Sequence, residues 1–101
     1  MATYTITMQD VDAFLETKQD QDEVGITCKG RECLVARAAQ MKYPGHEIAI
    51  FMGLMLIDRR EEYILSNEVH MLYWDFDMLH KGQIERPITK REWLEARGVA
   101  L

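Results

Sequence analysis

Two cysteines bracket the segment Cys28-Lys29-Gly30-Arg31-Glu32-Cys33, a C-x4-C pair. That spacing is permitted for two thiolate ligands of a zinc ion, and it also suits a reversible disulfide or a reactive thiol. Zinc needs two further ligands, and His46, His70 and His80 have no paired spacing. His70 and His80 fall on one expected helix about 15 Å apart, too far to share a metal. Lys29, Arg31 and an adjacent helix start would lower a thiol pKa and favour redox chemistry. The plainer expectation is two reduced cysteines with Cys33 partly buried, no metal and no cofactor.

Other chemistry is harder to place. No Ser-His-Asp or Cys-His arrangement is legible, and GITCKG (25–30) lacks the pattern of a phosphate-binding loop. Asp75 and Asp77 project about 200° apart on a helix, so they are not a paired-carboxylate site. Arg59-Arg60 and Lys90-Arg91 are the basic doublets, without interleaved aromatics or a basic balance, which makes nucleic acid an unlikely partner. The residue types point away from an enzyme. A thiol-based redox or metal-binding protein using Cys28 and Cys33 stays as the alternative.

Charge is more telling. The 101 residues carry a net −5, and residues 1–27 hold all of it: Asp10, Asp12, Glu16, Asp20, Asp22 and Glu23 against Lys18 alone. Such a segment repels phosphates and attracts basic partners. Asp20, Asp22 and Glu23 are therefore candidate contact residues, although a solvated helix face and acidic loop would look the same. With 48% hydrophobic and 29% charged residues the composition is ordinary globular, and the length suits one domain over 1–101. No apolar run reaches the ~18 residues of a membrane span, and the first residues lack a signal-peptide pattern. Together with sparse cysteine, this sets the expectation of a reduced, cytoplasmic setting.

The elements that would carry these residues read as α+β: a small antiparallel sheet of three to five strands with three or four helices. Alternating TYTIT (Thr3–Thr7) predicts a strand, and Met8, Val11, Phe14 and Leu15 predict a helix over Met8–Lys18, capped by Thr7. QDQDEVG reads as an exposed loop. A second helix is expected over Arg31–Tyr43, stopped by Pro44-Gly45. Strands follow at Glu47–Met52, Leu54–Ile57 and Glu62–Leu65, with a turn or bulge at Gly53 and both faces of the first two buried. Ser66 or Asn67 caps a third helix that runs to Gly82. Pro87 limits QIERPIT to an edge strand, and Thr89 with Glu92 forms a capping box for a last helix.

The third helix is the odd one. At about 100° per residue, Val69, Leu72, Tyr73, Phe76 and Leu79 make one stripe facing the core, while Met71, Trp74 and Met78 lie opposite. The C-terminal helix covers this second face, another molecule does, or the face is simply exposed. Met and Trp are enriched at recognition surfaces. Those three side chains offer about 400 Å², or ~10 kcal/mol gross, against an association cost of ~4–15 kcal/mol. They suffice to anchor an interface but not to make one alone.

CLVARA (Cys33–Ala38), opening the second helix, resembles the C-P-V-A-x-A segment of small uncharacterised proteins carried by phages and prophages. LSNEVHMLYWDFDMLHKGQIERPITKREWL (Leu65–Leu94) is similar to their C-terminal half, a helix with a D-x-G-like turn before a V-x-P-F strand. That half maps onto Asp77, Gly82, Ile84 and Pro87. Leu34 replaces the proline, and Asp77 lies five residues before Gly82 rather than two. The resemblance implies mobile-element origin and the same α+β order. By analogy with small acidic phage proteins it implies binding to host machinery, defence complexes included. The expectation is a non-enzymatic protein-binding module, self-associating as a homodimer, with Met71, Trp74 and Met78 in the contact.

Overall fold

A reciprocal cap starts the first helix. Thr7 Oγ1 accepts the Asp10 N–H at 3.2 Å, and the Asp10 carboxylate accepts the Thr7 N–H at 2.8 Å. The computed structural model describes residues 3–99. Its helices are α1 (Met8–Glu16), α2 (Leu34–Lys42), α3 (Asn67–Asp77) and α4 (Lys90–Ala96). Its strands are β1 (Glu23–Ile26), β2 (Ile48–Phe51), β3 (Leu54–Ile57), β4 (Glu61–Ile64) and β5 (Pro87–Thr89). The fold is α+β, with four helices and two small antiparallel sheets, β2-β3-β4 and β1-β5.

The three-stranded sheet is a meander built on two tight turns. Met52 and Gly53, both at positive φ (49° and 81°), make the two-residue turn from β2 to β3. Asp58-Arg59-Arg60 turns β3 into β4. Ile48 pairs with Ile57 and Ile50 with Met55, and these four are buried. Their neighbours Ala49 and Leu56 are only half-buried and Phe51 is exposed. The sheet is therefore buried on one face, not on two. On its other face Arg31 and Arg59 flank an open cleft over Ala49 and Leu56, and both pair with Glu47, at 2.8 and 3.1 Å.

Other differences from expectation have equally local causes. Thr3–Thr7 is not a strand: the Tyr43 hydroxyl accepts the Thr5 N–H and donates to the Thr5 carbonyl, both at 2.9 Å. One side chain does there what a ladder would have done. Within the acidic stretch, Glu23–Ile26 is a strand with buried Val24, bulged at Val24 and paired with β5. Gly25 is required there, because a Cβ would meet Leu34 N at 2.6 Å and Phe76 Cζ at 2.7 Å. Helix α2 begins at Leu34 rather than Arg31, with Cys33 Sγ accepting the Ala36 N–H at 3.5 Å. Helix α3 gives way to a single 3-10 turn, Met78–His80, ended by Lys81 in the left-handed region before Gly82.

The buried side chains form one cluster drawn from every helix and both sheets, including Val11, Leu34, Ile50, Phe76, Ile88 and Trp93. Buried Thr27 pins the chain before β5: its hydroxyl donates to Ile84 O at 2.6 Å and accepts the Arg86 N–H at 3.0 Å. Among the described residues no buried side-chain nitrogen or oxygen lacks a partner. None of the described helices is long and apolar enough to cross a membrane.

Candidate protein-docking site

Helix α3 is two-faced in the structure. Val69, Leu72 and Phe76 are buried, and Tyr73 and Leu79 are half-buried beside them. Met71, Trp74 and Met78 are 62%, 54% and 67% exposed. The C-terminal helix does not cover them. Trp93 of α4 packs instead on Phe76, with ring centroids 5.7 Å apart, so α4 closes the core side. The intrachain sandwich expected as one alternative is overturned.

The β2–β3 turn extends this apolar face. Phe51 and Met52 are 60% and 75% exposed and stand beside Trp74 and Met78 around a cleft of about 450 Å³. His70 links helix to turn. A Cβ on Gly53 would sit 3.2 Å from the His70 ring, and Trp74 Nε1–H donates to His70 Nε2 at 3.0 Å. That bond fixes the His70 tautomer, with its proton on Nδ1. Sequence reasoning missed Phe51 and Met52; the Phe-Met pair before Gly53 marks an apolar turn, but not that the turn lies beside α3.

The floor of the cleft is polar. Asp77 Oδ1 accepts the Cys28 N–H at 2.9 Å, which holds Cys28 in its left-handed conformation, φ 58°. Tyr73 lines the same cleft and interacts electrostatically with that carboxylate. Burial pushes the Asp77 carboxyl above its ordinary value, more than these interactions pull it down. Burial, then the Asp77 charge, pushes Tyr73 up to about 12. His80 flanks the site and accepts the Gly82 N–H on Nδ1 at 3.0 Å, so its proton sits on Nε2.

The cysteines are free and differently placed, Cys28 exposed and Cys33 buried. Burial pushes the Cys33 thiol up to about 12, and burial with the Asp77 charge raises Cys28 as well. The lowering expected from Lys29 and Arg31 does not occur. Lys29 is engaged by Glu32 and Arg31 by Glu47. Among the described residues no group of three or more His, Cys, Asp or Glu is placed to hold a metal. His46 lies elsewhere, 2.7 Å from Asp58.

No family model matches this chain, and neither a curated protein nor a solved structure does.

The acidic candidates are not brought to the α3 face. Asp22 accepts the Gln19 N–H at 2.9 Å, and Glu23 pairs with Arg37 at 2.5 Å. The backbone carbonyls of Asp20 and Asp22 accept the Arg91 and Lys90 amides, clamping this loop to the start of α4. Of the three, Glu23 already has its cation, which leaves Asp20 and Asp22 as the exposed acids of the loop.

Proposed function

We propose that the protein is a small non-enzymatic protein-binding module of cytoplasmic, phage or mobile-element type. It works by docking the α3–turn face on another protein, self-associates as a homodimer through that face, and has host or defence complexes as its partner class. The observation that carries this reading is the contiguous exposure of Phe51, Met52, Trp74 and Met78 around one cleft, with Met71 on the same helix ridge.

Area supports it. These five side chains expose on the order of 650 Å², close to the ~800 Å² each partner contributes to a standard interface. Their burial yields roughly 16 kcal/mol gross against an association cost of ~4–15 kcal/mol. A patch that large on a lone monomer is above the few hundred Å² commonly left exposed. The acidic loop with Asp20 and Asp22 is a separate surface that speeds approach of a basic partner rather than holding it. Nucleic acid and membrane are not the expected partners of a chain with net charge −5.

Methyl NMR of methionine-labelled protein over a dilution series tests the reading. The Met52, Met71 and Met78 methyls shift together with concentration, while buried Met55 stays fixed. Concentration-independent spectra, or shifts centred on Met41, would contradict self-association through this face.

A further inference from the structure

The cleft holds an acid where a helix least favours one. Asp77 is the last residue of α3, at the negative end of the helix dipole, and it is half-buried beneath apolar walls. Its hydrogen-bond partner is the Cys28 amide, a neutral donor. No lysine or arginine lines the cleft, and among the described residues none pairs with Asp77. Two histidines also line the cleft: His80 lowers the Asp77 carboxyl through space, less than burial raises it, and accepts the Gly82 N–H on Nδ1, while His70 accepts the Trp74 indole. A desolvated carboxylate with no lysine or arginine against it is costly, and its oxygens can accept further hydrogen bonds. The Cys28 turn alone does not explain the charge, since an asparagine oxygen would accept that amide equally well.

We propose that this cleft receives a basic side chain of a partner protein, an arginine or lysine carried on an apolar segment. Its stem lies against Phe51, Met52, Trp74 and Met78, and its cationic head meets the Asp77 carboxylate. Long basic side chains bury their methylenes on apolar surface while the head seeks a polar end. The exposed Trp74 ring adds an attractive face for the cation. Charge complementarity selects this occupant over an uncharged helix, which would leave the carboxylate buried and unpaired. The inference rests on the docking reading above and names what that docking recognises, a basic segment that competes with the second copy for the same face.

The test is a titration of the labelled full chain with a leucine-flanked arginine peptide and with its citrulline twin, which has nearly the same shape without the charge. Small organic 4-phenylbutylamine is a third probe. The arginine peptide binds about tenfold more tightly than the citrulline peptide and shifts the Cys28 amide and the Trp74 indole. Asp77→Asn, which keeps the acceptor for Cys28, brings the two peptides to equal affinity. Equal binding by both peptides to the unmodified protein would overturn the inference while leaving apolar docking intact. Binding of phenylbutylamine without the arginine peptide would make this a small-molecule site and overturn the choice of a protein partner. No shift with any probe at millimolar concentration would overturn it outright. The self-association reading is judged separately, by the methionine dilution series.

Discussion

Trp74 donates its indole N–H to Nε2 of His70, one helical turn earlier, at 3.0 Å. A ring that is 54% exposed is thereby held in one orientation, and the same His70 ring supports the Gly53 turn. Rigid aromatic anchors lose little entropy on binding. The bond organises the face before any partner arrives.

Replacing His70 with Ala should leave the fold in place, because the bond is at the surface and is worth only ~0.5–1.5 kcal/mol. Docking should weaken by about the same amount as the indole becomes mobile. Indole relaxation in the NMR spectrum reads this directly. An unchanged order parameter for Trp74 would show that packing, not His70, orients the ring.

Acid stability should depend on Asp10. Burial pushes its carboxyl up, but hydrogen bonds from Lys42 and Thr7 win and hold it below the ordinary 3.8. A lowered folded value contributes stability above the unfolded pKa, and that stability is lost as pH falls through the folded one. Asp10→Asn should therefore lower the melting temperature at neutral pH and flatten the acid limb. Equal acid limbs in the two proteins would remove the cap from this account. Thr7→Ala, at the same cap, should cost about 1 kcal/mol.

Asp77 has the opposite sign. Burial raises its folded pKa, so between 3.8 and that raised value the native state holds the extra proton and stability falls as pH rises. Asp77→Asn should be more stable than the parent at pH 7, with the advantage gone at pH 3. Denaturant melts at both values measure it. A variant that is less stable at pH 7 would mean the ionised carboxylate is structurally required.

Much of this architecture was written in local pattern. Thr7 and Thr89 are real N-caps, although Glu92 turns its carboxylate to Arg86 instead of closing the expected box at Thr89, and the Met52-Gly53 turn lies between the apolar runs Ile48–Phe51 and Leu54–Ile57. The α3 stripes are two sides of one 3.6-residue period. What stayed hidden depends on distant partners. Strand β1 is four residues long, follows an acidic run and finds its ladder more than sixty positions later, at Pro87–Thr89. Thr3–Thr7 had the alternation of a strand, but Tyr43 took its hydrogen bonds. At the site, Met71, Trp74 and Met78 were visible as a stripe. Phe51, Met52 and Asp77 were not, because only the fold brings the turn and the helix end together.

The cysteines should be poor reagents. With Cys33 pushed up to about 12 and Cys28 also raised, a disulfide-exchange probe at pH 8 should titrate Cys28 slowly and Cys33 only on unfolding. Cys28→Ser with Cys33→Ala should fold with a loss of ~1–2 kcal/mol. Rapid labelling of both thiols, or stoichiometric zinc in the purified protein, would contradict this.

The central claim is that the Trp74 face is shared between molecules. Light scattering on the parent, Trp74→Glu and Phe76→Glu tests it in one series. The parent should have the mass of a dimer, and Trp74→Glu should be a folded monomer that melts cooperatively at a temperature independent of concentration, because an unpaired charge buried at an interface costs several kcal/mol. Phe76 is 1% exposed, so Phe76→Glu should fail to fold. A Trp74→Glu protein that keeps the parental mass would contradict the account.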